Sequence, residues 1–255
     1  MSGNTNASLF EFLLRQGDNT LVLGQRLSEW CGHGPVLEED IALANIALDL
    51  VGQTQLWLAL ACEVEGTGRS ADDLAMLRDV WDFRNLLLVE QPNRDFGMTI
   101  LRQFLFDQWH LLQLHALAES SEDRVAAIAT KAEREVRYHV ERSSEAVIAL
   151  GDGTEESHGR MQGALDRLTP YIGEMFEADA VDAALVRDGV APEPARLKPA
   201  YDSAVAAVLS EATLSMPSVP VAQTGGRSGK RHTEHLGHML TQMQWLQRAY
   251  PGAKW

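Results

Sequence analysis

Basic residues, cysteine, proline and aromatic residues are all scarce in this sequence, and these shortages exclude several classes of protein. Lys and Arg number 22 against 36 Asp and Glu, which gives a formal net charge of −14. Nucleic acids and anionic membranes both bind basic surfaces, so neither is an expected partner. The two cysteines, Cys31 and Cys62, are too few for a disulfide framework and indicate a reducing compartment.

Targeting and membrane signals are also missing. The first residues, MSGNTNASLF, lack the basic region and cleavage pattern of a secretory signal. No apolar run approaches the roughly 20 residues that span a bilayer. We therefore expect a cytoplasmic protein that does not enter a membrane.

The sequence is rich in helix-forming residues. Apolar residues make up 45% of the 255 residues, and only 9 prolines interrupt them. They recur at three- and four-residue steps and nowhere alternate as in a strand, which predicts an all-α fold. Helices near 25 residues are typical of a bundle in which long antiparallel helices share one core. The predicted helices cover 6–31, 36–66, 71–90, 95–119, 121–150, 199–215 and 233–250, with one or two more in 156–188. We expect one domain over 1–255, with a core bundle at about 6–150 and additional C-terminal helices at about 156–250.

Charged residues inside apolar stripes are the candidate site residues, because an unpaired buried carboxylate is costly. Asp49 lies in "NIALDLVGQ" and Asp107 in "QFLFDQWHLL". Asp107 and His110 are three residues apart and share a helix face. The full set of such charges is Glu29, Asp49, Asp107, His110, Glu135 and His139.

These charges resemble an incomplete di-iron site. A di-iron four-helix bundle uses two single carboxylates and two Glu-x-x-His pairs, whose side chains converge because three residues turn the helix by about 300°. Here the residue three after Asp49 is Gly52, and the residue three before His139 is Val136. Glu135 is four residues before His139 instead. Two of six ligands are missing, and no nearby residue replaces the missing histidine, so the spacing favours a group of charges without a metal.

Alternatives remain open at this point. The charges could pair with one another or with nearby arginines, or an unusual ligand set could make the chain a di-iron oxygenase or oxidase in its own right. A free-standing helical binding or storage protein is a third hypothesis. His232, His235 and His238 follow one another at three-residue steps, which suits either a surface metal or the polar side of a helix start. The nearby arginines are Arg26, Arg102, Arg134 and Arg137.

Five stretches together resemble one family. They are "GDN" (17–19), "RLSEWCGHGPVLEEDIALANIALDLVGQ" (26–53), "NLLLVEQPN" (85–93), "KAEREVRYHV" (131–140) and "HTEHLGHMLTQMQWLQRAYPGAKW" (232–255). They resemble the C subunits of bacterial ring 1,2-phenylacetyl-CoA epoxidases, and the likeness spans nearly the whole chain. The resemblance implies a ferritin-like fold.

The resemblance also implies protein partners and different roles for the subunits. The C subunit of this family is non-catalytic and supports a homologous catalytic A subunit that holds the di-iron centre. A small bridging subunit and a flavin and iron–sulfur reductase belong to the same system, which uses dioxygen and NADPH to epoxidise the ring of phenylacetyl-CoA. The C subunit of this family has lost the iron site, so the resemblance implies that the candidate positions, with Gly52 and Val136, are relics of a metal site. No catalytic residue, metal or cofactor is then expected in this chain. The segment Asp82, Phe83, Arg84 and Asn85 is a candidate for the partner interface or the CoA path, although packing at a helix break explains it equally well.

Overall fold

The protein is helical throughout the part that the computed structural model describes, residues 3–218 and 221–253. These residues form ten α-helices and short 3₁₀ turns and contain no β-strand, which confirms the predicted all-α, ferritin-like class. The helices are α1 (Gly3–Ser28), α2 (Leu37–Glu65), α3 (Ala71–Met76), α4 (Leu87–Glu90), α5 (Phe96–Leu117), α6 (Asp123–Gly151), α7 (Glu155–Leu168), α8 (Ala180–Arg187), α9 (Lys198–Glu211) and α10 (Glu234–Ala249).

Internal contacts divide the chain into two compact units. Unit 1 comprises Met1–Gln91 and Thr224–Trp255, with α1 to α4 and α10. Unit 2 comprises Pro92–Gln223, with α5 to α9. Each unit is built on one pair of long helices. The single domain over 1–255 stays a prediction.

The long pair of unit 1 is antiparallel. The hydroxyls of Thr20 on α1 and Thr54 on α2 lie 2.8 Å apart and form a buried hydrogen bond. Gly24 is four residues after Thr20 on α1, and it faces Leu50, which is four residues before Thr54 on α2. A Cβ at Gly24 would lie 3.3 Å from Leu50 Cβ. Glycine at this position therefore allows the two helix backbones to approach closely.

The turn between α1 and α2 is held by one carboxylate. Gly32 has a φ of +79°, the left-handed region that favours glycine. The Asp40 carboxylate accepts hydrogen bonds from the main-chain N–H groups of Gly32 (3.2 Å) and Gly34 (2.9 Å). These bonds, above all the one from Gly34, hold the pKa of Asp40 below its usual range. The "CGHGP" stretch thus ends the first helix as predicted.

The helix predicted over 71–90 is wrong for most of its length. Only α3 and the four-residue α4 are α-helical there, with a 3₁₀ turn at Val80–Asp82. The N–H of Arg84 donates to Asp18 Oδ2 (2.8 Å), and the N–H of Leu86 donates to Asn19 Oδ1 (2.7 Å). Because side chains of α1 take these N–H groups, the segment does not need helical hydrogen bonds to satisfy its backbone.

The long pair of unit 2 is also antiparallel. Asp95 caps α5 by accepting from the N–H of Met98 at 2.8 Å. His115 near the end of α5 lies 3.2 Å from Glu133 near the start of α6. Two helices, α7 and α8, fill the 156–188 stretch, and 3₁₀ turns around Pro170 separate them, as the proline predicted.

Gly151, the last residue of α6, is the clearest packing constraint in unit 2. A Cβ at Gly151 would lie 2.5 Å from the main-chain oxygen of Ala212, beside the end of α9. We predict that Gly151→Ala lowers the free energy of unfolding by about 2 kcal/mol, because backbone atoms must move. Gly159→Ala is the matched control, since Gly159 lies in α7 with open space around it, and it should raise stability by up to about 1 kcal/mol. Urea unfolding measures both. Equal changes in the free energy of unfolding of the two variants would contradict the close approach of Gly151 to Ala212.

Candidate docking face and buried polar groups

Asp107 on α5 is a fully buried carboxyl group whose two oxygens are both occupied. Gln103 Nε2 donates to its Oδ1 at 2.6 Å, and the Ser143 hydroxyl on α6 donates to its Oδ2 at 3.0 Å. Gln103 is one turn before Asp107 on the same helix, whereas Ser143 comes from the antiparallel neighbour. A neutral amide and a neutral hydroxyl therefore bind the two oxygens of this carboxyl group.

Burial controls the protonation of this group. It raises the pKa of Asp107 to about 7, against the opposing effects of the His139 charge and the two hydrogen bonds. Burial also lowers the pKa of His110 to about 3, and the like charge of His139 acts in the same direction. Asp107 is thus able to bind a proton near neutral pH, while His110 stays uncharged.

The other predicted positions of α5 and α6 are divided between the interior and the surface. Val136 and His139 are fully buried, but Glu135 is only half-buried because it is one residue, or about 100°, away from Val136. The His110 ring packs on Phe106 with 4.9 Å between centroids. His110 Nδ1 has no hydrogen-bond partner among the described residues. In unit 2 the His139 ring is close enough to both Asp107 and His110 to interact with each electrostatically.

The predicted positions in unit 1 do not form a buried group. Glu29 lies just beyond the end of α1, exposed, and accepts from Arg26 at 3.0 Å. Asp49 and Gly52 are half-buried on α2, and a Cβ at Gly52 would meet nothing within 4 Å. The arginine pairing considered for these charges is confirmed at Glu29. Within the described residues of either unit, no three His, Cys, Asp or Glu side chains are grouped so as to hold a metal.

Sequence reasoning missed a second buried carboxylate, that of Glu90 in unit 1. Its Oε1 accepts a hydrogen bond from Asn85 Nδ2 at 3.0 Å and lies 2.6 Å from His232 Nδ1. Its Oε2 accepts from both the N–H and the hydroxyl of Thr233, each at 2.7 Å. Arg26 donates to its main-chain oxygen at 2.7 Å. The only available signal was that Glu90 lies inside the apolar "NLLLVEQPN" stretch.

His232 has a structural role rather than the surface role considered for it. Its Nε2 lies 3.2 Å from the main-chain oxygen of Phe83, so both ring nitrogens face acceptors. Thr233 is the N-cap residue of α10, as predicted, but its hydroxyl binds Glu90 instead of the first turn of the helix.

The "GDN" stretch of α1 binds the segment that leads to Glu90. Asp18 is fully buried and pairs through both oxygens with Arg78, whose guanidinium also lies 4.4 Å from the centre of the Phe83 ring. Gly17 lies against Leu58, where a Cβ would come within 2.5 Å of its Cδ2. The "GDN", "NLLLVEQPN" and "HTEHLGH" stretches are therefore parts of one polar network in unit 1.

The 82–85 segment borders a cavity of about 480 Å³ that contains three arginines. Each guanidinium is already bound to a carboxylate, so the cavity offers no unpaired arginine for a phosphate of CoA. The CoA path stays a prediction. The pairs are Arg69 with Glu65, Arg78 with Asp18, and Arg84 with Glu11.

One side of α2 is an exposed apolar face, hereafter the α2 face: Leu37, Ile41, Ala44, Leu48 and Val51. Leu37 is 71% exposed and Leu48 69% exposed, which is unusual for leucine in a long helix. In the described residues α2 is the one helix long and apolar enough to cross a membrane, but half of its most apolar window is buried within the protein. The all-round apolar pattern of α2 thus has two causes, a buried side and the α2 face.

Comparison with known proteins identifies the family. A family model described as phenylacetic acid catabolic protein matches residues 1–255. The chain belongs to that family. The C subunit of the 1,2-phenylacetyl-CoA epoxidase of Escherichia coli (strain K12) is 49% identical over 247 residues, which are 97% of this chain and 99% of the relative. This confirms the resemblance that the sequence motifs indicated, and the relative is by its name one part of a larger enzyme.

The raised pKa of Asp107 predicts a pH-dependent effect of Asp107→Asn. The folded state holds the proton up to about pH 7, whereas an unfolded Asp releases it near pH 4. The wild-type protein therefore loses stability from this group as pH rises through that window, and the Asn variant does not. We therefore expect the free energy of unfolding of Asp107→Asn, relative to that of wild type, to increase by about 2–4 kcal/mol between about pH 5 and about pH 8. Urea unfolding at each pH measures this difference.

The control for that experiment is Glu145→Gln, which removes an exposed carboxylate from the same helix pair. Its stability relative to wild type should stay constant over the same pH range. An Asp107→Asn difference that is also constant would contradict the buried, protonated carboxyl group.

The Glu90 network predicts a large loss of stability for Glu90→Gln. The amide must direct an N–H toward groups that are themselves donors, which leaves buried donors unsatisfied. We expect a loss of about 3 kcal/mol in urea unfolding and faster hydrogen exchange in α10. Glu234→Gln, an exposed change in the first turn of α10, should do neither. Unchanged exchange in α10 for Glu90→Gln would refute the anchoring role.

Proposed function

We propose that the chain is the non-catalytic, structural subunit of a 1,2-phenylacetyl-CoA epoxidase complex in aerobic phenylacetate degradation. The observation that carries the proposal is the 49% identity to the C subunit of that enzyme, which extends over 97% of this chain and 99% of the relative. Because the likeness extends over nearly the full length of both chains, it supports the same role in the complex.

The partner in this proposal is a homologous catalytic A subunit that carries the di-iron centre. A small bridging subunit and a flavin and iron–sulfur reductase complete the system in the cytoplasm. With dioxygen and electrons from NADPH, the di-iron centre of the partner supplies the oxidising chemistry that epoxidises the ring of phenylacetyl-CoA. The contribution of this chain is to bind and support the catalytic subunit.

The residues at the candidate metal positions support a non-catalytic role, because they do not fit a di-iron centre. Val136 is buried and apolar where a carboxylate ligand is required, and Gly52 has no side chain where a histidine is required. Asp107 is hydrogen-bonded through both oxygens by Gln103 and Ser143. The Asp107 carboxyl group is therefore satisfied by neutral side chains of this chain, and we expect no cofactor in this subunit.

Iron content tests the proposal. The chain is purified alone from iron-rich medium, and again after co-expression with the catalytic subunit, and iron is measured by mass spectrometry. We expect background iron on the chain alone and about two irons per complex. About two irons on the isolated chain would overturn the proposal and favour a di-iron oxygenase or oxidase with an unusual ligand set.

A further inference from the structure

Residues 225–231 of unit 1, hereafter the basic loop, close on one main-chain oxygen. The oxygen of Gly225 accepts hydrogen bonds from the N–H groups of Lys230 (3.1 Å) and Arg231 (3.2 Å). It also accepts a bond from the hydroxyl of Ser228 at 3.0 Å. The backbone of the basic loop is therefore fixed by its own hydrogen bonds, although it lies outside the α-helices.

Two glycines allow the basic loop to pack on the segment before α4. A Cβ at Gly226 would overlap the main-chain oxygen of Asn85, and a Cβ at Gly229 would overlap the guanidinium group of Arg84. Gly229 also has a φ of +64°, the left-handed region that favours glycine. The loop is thus held in one position before a ligand binds, which lowers the entropy cost of binding.

The basic loop ends in two adjacent, exposed cations, Lys230 and Arg231. Within the described residues, neither side chain makes a hydrogen bond or an ion pair. This is unusual in a chain with 36 acidic and 22 basic residues, and other arginines of unit 1 are each paired with a carboxylate: Arg69, Arg78 and Arg84. Lys230 and Arg231 are therefore available to bind an anion, and both residue types bind phosphate groups.

Trp81 places an exposed aromatic ring beside the basic loop. Its side chain is 63% exposed, and a Cβ at Gly229 would lie 3.0 Å from its main-chain oxygen. The centroid of its ring is 6.2 Å from that of His232, the residue that follows the loop. His232 lies 2.6 Å from Glu90, so the polar network of unit 1 fixes this end of the loop. An exposed indole stacks on flat heterocycles such as the bases of nucleotides.

The combination of an aromatic ring and two adjacent cations limits the class of ligand. Inorganic phosphate would use the cations alone, and an apolar molecule would use the indole alone. A nucleic acid needs a basic surface far larger than one loop, which a chain with a net charge of −14 does not offer. An adenosine phosphate uses both features, because its base stacks on an aromatic ring and its phosphates bind Lys or Arg.

We infer that the basic loop and Trp81 bind the adenosine-phosphate end of the CoA thioester that is the substrate of the complex. The inference rests on the proposed function, which supplies the thioester, while the binding chemistry rests on Lys230, Arg231 and Trp81. NADPH carries a similar adenosine phosphate, so the test distinguishes these two sources. This chain then takes part in binding the substrate without taking part in the chemistry.

The first arm of the test measures the contribution of the cations. CoA, adenosine 3′,5′-bisphosphate, NADPH and inorganic pyrophosphate are titrated into the full-length chain by calorimetry. We expect CoA and the bisphosphate to bind, and Lys230→Gln with Arg231→Gln to weaken both at least about 10-fold. Lys131→Gln with Arg196→Gln is the matched control, because it removes two exposed cations of unit 2. It should leave both affinities within about 2-fold of wild type.

The second arm separates stacking from charge. Trp81→Ala should weaken binding of CoA at least about 5-fold and leave binding of inorganic pyrophosphate unchanged, because pyrophosphate has no base to stack. Tyr138→Ala, which removes a 48% exposed ring of unit 2, should affect neither ligand. Circular dichroism and urea unfolding check that each variant is folded. An equal loss of affinity for CoA and pyrophosphate in Trp81→Ala would overturn the stacking role.

The assembled complex separates this inference from the proposed function. Lys230→Gln with Arg231→Gln should raise the KM for phenylacetyl-CoA at unchanged kcat. If wild type binds the catalytic subunit but this variant changes neither the KM nor the affinity for CoA, the inference fails while the proposed function stands. If NADPH binds more tightly than CoA, the loop serves the reductant and the inferred ligand is wrong. If wild type does not bind the catalytic subunit at all, both fail, because the proposed function supplies the ligand.

Discussion

The two carboxylate oxygens of Glu90 accept bonds from Asn85, His232 and both donor groups of Thr233, and the main-chain oxygen of the same residue takes another from Arg26. These groups come from α1, from the non-helical segment before α4, and from the start of α10. A buried charge is tolerated only when it is fully bonded, so these segments of unit 1 must fold together. The network connects three separated stretches of the sequence, "GDN", "NLLLVEQPN" and "HTEHLGH", within unit 1.

The buried carboxyl group of Asp107 in unit 2 is stabilised differently from that of Glu90. Among the described residues, the side chains bonded to Asp107 are the uncharged Gln103 and Ser143, and the carboxyl group binds a proton near neutral pH. Glu90 is satisfied by many donors, while Asp107 is made tolerable by neutralisation. Both arrangements connect separate segments of the chain through hydrogen bonds between protein groups.

The two sides of α2 have different surroundings. One side packs on α1 through Thr54 and Leu50, and the other presents Leu37 and Leu48 to solvent. An apolar residue in the sequence of this helix therefore does not by itself indicate a position in the core.

The amino-acid sequence by itself determined the helical class and the positions of the long helices, because these depend on apolar periodicity and on breakers such as "CGHGP" and Pro170 that act locally. It also determined that Gly52 and Val136 cannot be metal ligands. Only the tertiary structure decided that 77–86 is not α-helical, that Glu29 lies at the surface, and that α2 has an exposed face. Those outcomes depend on hydrogen bonds and packing between residues up to 209 positions apart, which no local pattern contains.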